Sequence, residues 1–391
     1  MQRTPLSGIR VLEVGGYISM PYSASLLSSL GADVVKVERP LTGDDFRRGM
    51  EDRSLYFRQY NAGKRSLAVD LKRPEGVEVL KALIPRYDVL MENMRPGKMA
   101  SLRLGPADCA AVRPDIVYAS VTGFGDGGPL ALRPAYDTIG QAYGALYTVL
   151  SDAGAPRLSG TPLADLITGL TVTTGILAAL VGRAADGPKQ VSTSLMEAVS
   201  TLTIDALTQY FDSGGQEPSR QSRHPQAQNF VLKTLSGDDI AIHLSSSQKF
   251  WLSFLDAMGR QDLARDPRFT TYALRTENYF ELAEIVEKEF VARPSAEWET
   301  RLTAADVPFA PVLTMSGYLR HPQVDWLQLV QPERDGLALL RPPWRFAGER
   351  PDRGDHTPKV GEHTREIAAE AYGEAAIDSL LAEGVLFAAR P

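Results

Sequence analysis

Five short apolar runs recur along the first third of the chain: "IRVLEV" (residues 9–14), "DVVKVE" (33–38), "RSLAVDL" (65–71), "DVLMENM" (88–94) and "DIVYASVTGFG" (115–125). They are rich in aliphatic and β-branched residues with few polar interruptions, as expected of strands buried on both faces of a parallel sheet. Between the first four lie stretches with helical spacing: "PYSASLLSSLGA", ended by Gly31, and "PEGVEVLKALIPRY", opened by Pro74 at a favoured first-turn position. Strand–helix–strand units of this kind predict an α/β fold, a parallel sheet covered by helices.

Two further helices are expected at "YDTIGQAYGALYTVL" and over the apolar run that ends at Arg183. Leu166 to Gly182, "LITGLTVTTGILAALVG", is uncharged, but it holds four threonines and three glycines and is marginal in length for a membrane span, so it reads as a buried helix. "KQVSTSL" leads into one more helical stretch, "MEAVSTLTIDALTQYF". The pattern then breaks. Residues 212–228, "DSGGQEPSRQSRHPQAQ", are polar and without periodicity, and read as a linker. A smaller α+β unit is expected over 229–320, with a hairpin in "FVLKTLSGDDIAIHL" turning at 236–239, three helices, and a returning strand in "VPFAPVLTM". Residues 321–355 form a second Pro- and Arg-rich linker, and 356–391 carry two short helical patterns. The large domain is thus expected over 1–211, completed by 356–391.

Composition narrows the function. A chain of 391 residues with net charge −6 is not built as a general nucleic-acid or anionic-membrane binder, and it must gather its Lys and Arg locally to hold an acidic ligand. The lone Cys109 permits no internal disulfide, and the start "MQRTPLSGIRVLEV" has no signal-peptide order, so the expected compartment is the cytoplasm. The five histidines have no metal-site spacing. G-x-S-x-G, G-x-G-x-x-G and the P-loop pattern are all absent, which disfavours serine hydrolase, nicotinamide and ATP chemistry.

What remains are carboxylates, tyrosines and cations in the loops after strands, where open parallel sheets place their ligands. Arg39, Lys72 and Asn93 follow the second, third and fourth strands and would project from one sheet edge, with Lys64 and Arg65 nearby. Tyr136 and Asp137 stand together at a helix start, and Asp165 stands alone in "SGTPLADLITGL". Each aspartate reads first as a helix N-cap and second as a reactive carboxylate.

The blocks "LSGIRVLEVGG", "LGADVVKVERP" followed by "GDD", "NAGKRSLAVDLKRPEG", "DVLMENMRPG", "GFGDGGP", "YDTIGQAYGAL" and "SGTPLADLITGL" resemble the family III coenzyme A transferases. That group includes formyl-CoA and carnitine CoA-transferases and the alpha-methylacyl-CoA racemases. The resemblance runs over nearly the whole chain and is strongest over 5–200. It implies a large Rossmann-like domain and a small α+β domain in an interlocked homodimer, with the active site between the large domain of one chain and the small domain of the other.

It also implies that Asp165 is a covalent nucleophile passing through an aspartyl anhydride and an aspartyl-CoA thioester, with Tyr136 and Asp137 beside it. No permanently bound cofactor is implied, with coenzyme A a substrate and product. The CoA contacts carried over are Ser19, Arg39, Val69, Lys72, Asn93, Met94, Arg103 and Leu104. A racemase of this family has histidine at the place of Tyr136, and tyrosine is a poor base at neutral pH, which favours transfer. The chain departs from formyl-CoA transferase at Ile18, where that enzyme has glutamine, and at "PQAQNFVL", which replaces a glycine-rich loop.

The reading is therefore a cytoplasmic enzyme moving CoA from an acyl-CoA to a small carboxylic acid, with no nucleic-acid or membrane partner. An acyl-CoA racemase or epimerase, and a non-catalytic CoA-binding protein, are the alternatives. A dicarboxylate such as succinate is an acceptor to consider, its far carboxylate meeting Arg47, Arg48 or Arg133.

Overall fold

A computed structural model describes residues 4–183, 186, 187 and 189–389; the first three residues of the stretch read above for a signal peptide lie outside them. The described chain divides into two compact units, one made of Met1–Tyr147, Leu158–Ile204 and Pro322–Pro391, the other of Thr148–Arg157 and Asp205–His321.

The first unit is built on a seven-stranded sheet: β1 (Arg10–Val14), β2 (Asp33–Glu38), β3 (Arg65–Val69), β4 (Val89–Glu92), β5 (Val117–Thr122), β6 (Gln190–Ser194) and β10 (Leu386–Phe387). Their spatial order is β10-β3-β2-β1-β4-β5-β6, and every pairing is parallel except β10 with β3. The strands β1 to β5 are buried almost throughout. Alternation along them sends Leu12, Val35, Leu67 and Leu90 into one core and Val11, Val34, Val89 and Val117 into the core on the opposite face. Each such side chain, fully buried, contributes about 1.5–3 kcal/mol.

Two helices cover the second face. Ser19–Ser29 gives it Met20, Ala24 and Leu27, and Leu163–Arg183 gives it Val172, Ile176 and Ala179. The latter is long and apolar enough to span a membrane by length and composition, and it buries one side against this core. Gly169 sets the distance between the two helices: a Cβ there would lie 2.9 Å from the Ser19 carbonyl oxygen and 2.7 Å from the Tyr22 ring.

The second unit holds an antiparallel sheet, β7 (Asn229–Lys233), β8 (Asp239–His243) and β9 (Phe309–Pro311), in sequential order. Phe230, Leu232, Ile240 and Ile242 face a core that includes Trp251, Phe254 and Phe290, with Phe290 stacked on Trp298 at 4.1 Å.

Several elements differ from the sequence reading. The helix expected from Tyr136 breaks into Asp137–Tyr143 and Leu146–Leu150, because Ala145 takes φ +59° and a side chain at Gly144 would strike Val199. The stretch after β6 divides into helices Leu195–Ser200 and Ile204–Asp212, and the boundary between units falls at residue 204 rather than 211. Residues 212–228 include a one-turn helix, His224–Ala227, and 148–157 belong to the second unit.

Candidate active site

At the switch point of the sheet, β1 and β4 are neighbours whose crossovers leave in opposite directions, so a crevice opens beyond their carboxyl ends. The two exits are fastened together. The Asn93 side chain accepts a hydrogen bond from the Gly16 amide at 3.1 Å and donates one to the Gly16 carbonyl at 3.0 Å. Tyr17 then takes φ +64°, a left-handed conformation costly for a residue with a Cβ.

A buried ionic cluster holds this loop in place. Lys36 Nζ donates to the Gly15 carbonyl at 2.7 Å and pairs with Glu13 and Asp44, each at 2.9 Å. Asp44 accepts from the amides of Tyr17 at 3.3 Å and Phe46 at 2.9 Å. Glu13 also binds Lys64 at 2.7 Å, and Glu38 binds Arg47 through two bonds of 2.8 and 2.7 Å. Lys36 keeps its proton above the ordinary lysine range: burial opposes the charge, but Asp44 and Glu13 more than offset it.

Asp165 is the third residue of its helix, so it does not cap that helix. The cap comes from elsewhere. Asp137 Oδ1 accepts from the amides of Ala164 at 2.9 Å and Asp165 at 3.2 Å, satisfying two of the four unpaired N–H groups at a helix start. Asp137 Oδ2 accepts from Gln141 Nε2 at 2.6 Å, and Gln141 Oε1 in turn accepts from the Ser159 hydroxyl at 2.7 Å. The Asp165 side chain is left free to face the crevice. Burial, and after it the charge of Asp137, push its carboxyl up to about 7, against a hydrogen bond from Ser19 that favours the ionised form.

Asp165, Ser19, Tyr17 and Tyr136 line a cavity of about 500 Å³. The rings of Tyr17 and Tyr136 meet edge to face at 5.4 Å. Their hydrogen bond, followed by burial, raises the Tyr17 hydroxyl to about 12. A volume of this size suits a small-molecule ligand. The arrangement presents a half-buried carboxylate at a helix N-terminus, a nucleophile or base that is part protonated near neutral pH. No group of residues able to hold a metal ion occurs among the described residues.

Over residues 6–364 the sequence matches CoA-transferase family III. The chain belongs to that family. The succinyl-CoA:glutarate CoA-transferase of Mus musculus is 30% identical over 98% of this chain and 90% of its own length. The acetyl-CoA:oxalate CoA-transferase of Acetobacter aceti is 30% identical over 94% of this chain and 95% of its own. Among solved structures, a CAIB/BAIF family protein from Brucella suis superposes with a TM-score of 0.81 at 30% identity, covering 95% of this chain and all of that one.

In this family III CoA-transferase, Asp165, Tyr136, Ser19, Arg39, Asn93 and Met94 share the cavity lining. Asp137 stands behind Asp165, bound to the helix backbone. Val69 and Leu104 are packed into the core, and Lys72 and Arg103 are exposed; none of the four lines the cavity. Lys72 follows β3, which pairs with β2, so it leaves the same sheet edge as Arg39. Arg47 is no ligand-binding candidate, because it is buried and bidentate to Glu38. Arg48 stacks on Tyr56, 4.5 Å from the ring centre, while Arg133 lines the cavity. Tyr17, Asp44 and Arg95 are lining residues that the sequence reading missed. The glycine pair in "EVGGY" was the only local signal for Tyr17, and nothing in the sequence marks a tyrosine as left-handed.

Proposed function

We propose that this protein transfers coenzyme A from an acyl-CoA thioester to a small carboxylic acid, with Asp165 as the covalent carrier. An ionised Asp165 oxygen attacks the thioester carbonyl and expels CoA thiolate, giving an acyl-aspartyl anhydride. The thiolate then attacks the aspartyl carbonyl, releasing the donor acid and leaving an aspartyl-CoA thioester. An acceptor carboxylate attacks that thioester and expels the thiolate again. Attack of the thiolate on the acceptor's acyl carbon completes the new acyl-CoA and restores Asp165.

The observation that carries this reading is a single half-buried carboxylate, held in the ionisable range near neutrality, in a cavity whose described lining contains no histidine. Racemisation needs a second base opposite the carboxylate, and Tyr136 is a weak one. Ser19, and the positive end of the helix that begins at Leu163, favour the ionised nucleophile. The reading includes a cytoplasmic homodimer with no resident cofactor, and a dicarboxylate acceptor is supported by a relative named for glutarate.

The test is mass spectrometry of protein quenched with hydroxylamine during turnover of succinyl-CoA. The expected product is a hydroxamate on Asp165, absent in Asp165→Ala. A label on another residue, or full turnover by Asp165→Ala, refutes the mechanism. Solvent deuterium entering the alpha position of a 2-methylacyl-CoA without an acceptor acid would favour the racemase instead.

A further inference from the structure

The anions lining the cavity are nearly all matched. Glu38 is bidentate to Arg47, Asp44 pairs with Lys36, and Asp45 pairs with Arg39, which also donates to the Gly43 carbonyl. Asp165 is the one lining carboxylate left without a cationic partner among the described residues. Two lining arginines, Arg95 and Arg133, likewise have no carboxylate partner among the described residues. The cavity therefore offers more free positive than negative charge, and its ligands supply the balance.

The two arginines are placed differently. Arg95 follows Asn93 and Met94 at the exit of β4, on the sheet edge that also carries Arg39. Arg133 belongs to the "RPAY" segment, three residues before Tyr136. A chain advances at most ~3.5 Å per residue, so its Cα lies within about 11 Å of that of Tyr136. Its guanidinium is braced: Nη1 donates to the Tyr143 hydroxyl at 2.9 Å, and the Tyr143 ring meets Phe124 edge to face at 5.0 Å. One N–H is occupied in fixing the group, and the others remain for a carboxylate, the planar partner that a guanidinium matches best.

From this we infer that Arg133 is a specificity-determining residue that binds the distal carboxylate of a short dicarboxylic acceptor while the near carboxylate reacts at Asp165. The inference rests on the transferase reading with its dicarboxylate acceptor and adds to it the residue that selects that acceptor.

The test compares glutarate with butyrate and 4-aminobutyrate as acceptors, using succinyl-CoA as donor and the full-length enzyme. In a double-displacement scheme the acceptor kcat/KM does not depend on the donor, so it reports acceptor recognition alone. Arg133→Met is expected to lower kcat/KM for glutarate by about tenfold or more, leaving butyrate within about twofold. Arg133→Lys should recover part of the loss. Arg133→Glu should reverse the preference, favouring 4-aminobutyrate over glutarate.

Arg133 is exposed, so the variants should fold, and hydroxylamine trapping on Asp165 from acetyl-CoA, whose acyl group has no distal carboxylate to meet Arg133, monitors each active site independently of the acceptor. An unchanged glutarate-to-butyrate ratio in Arg133→Met, with trapping intact, overturns the assignment. A wild-type enzyme that traps nothing on Asp165 overturns the transferase reading and this inference with it.

Discussion

Replacing Asp137 by asparagine tests how the proposed nucleophile, Asp165, is tuned. The asparagine oxygen can still accept from the amides of Ala164 and Asp165, but its amide group would face the Gln141 donor that now lies 2.6 Å from Oδ2, so Gln141 must turn. The negative charge is lost. Asp137 Oδ1 is 3.2 Å from the Asp165 amide nitrogen, and a side-chain carboxylate sits roughly 3–4 Å from its own amide, so the two charges are on the order of 6 Å apart. At an effective dielectric near 20 their repulsion is about 3 kcal/mol, or roughly 2 pKa units.

Burial is the larger cause of the raised Asp165 value and it remains, so the carboxyl should fall from about 7 to between about 5 and 6. In the proposed mechanism only the ionised form attacks. The acid limb of kcat/KM for the acyl-CoA donor should therefore move down by about one to two pH units, and at pH 6 the variant should retain a larger share of its own plateau rate than the wild type does. The assay is a pH profile from about 5 to 9 with donor consumption followed at low concentration. An acid limb that stays near 7, or rises, refutes the electrostatic role of Asp137 and leaves it only a cap.

The same shift has a sign for stability. Asp165 binds its proton more tightly in the folded chain than in the unfolded one, so its contribution falls as pH rises from about 4 to about 7. Asp165→Asn should abolish transfer and yet raise the urea midpoint at pH 8, by some fraction of the roughly 4 kcal/mol that three pKa units represent; no gain at pH 8 over pH 4 would argue against a strained carboxylate. Lys36→Met leaves the buried Asp44 without its cation, while Glu13 keeps Lys64, and should cost about 3–5 kcal/mol by urea titration; a loss under about 1 kcal/mol would mean the cluster is not the prop beneath Tyr17. Gly169→Ala forces a methyl against the Ser19 carbonyl and the Tyr22 ring, which should lower stability by about 1–3 kcal/mol and reduce kcat through displacement of Asp165. Unchanged kcat would separate the helix crossing from the chemistry.

The legible part of the fold was the part governed by burial on two faces. The strands β1 to β5 stand out as apolar runs because helices cover both sides of them. Edge elements escaped for the converse reason. β6, "QVSTS", is a half-exposed edge strand, and β10 is two residues long, with its pairing to Val69 and Ala68 fixed by tertiary structure alone. The apolar surroundings of Asp165 drew attention to it, but the cap reading failed because the capping oxygen comes from Asp137, 28 residues away. Local pattern cannot announce a partner that only the packing of two helices brings within 3.2 Å.

Pairing across the site gives the chemistry its direction. Had Asp165 capped its own helix, its oxygens would be engaged by backbone amides and poorly available to a thioester carbonyl. Asp137 takes over that task, and by its charge it also makes Asp165 more basic than a capped carboxylate would be. A more basic carboxylate is a better nucleophile once ionised but is ionised less often, so a value near 7 balances the two at neutral pH. The other carboxylates around the cavity, Glu38, Asp44 and Asp45, are each tied to a cation, and in the proposed mechanism they would not compete for the acyl group. In the proposed mechanism, selectivity for Asp165 would therefore arise as much from the quenching of its neighbours as from its own position.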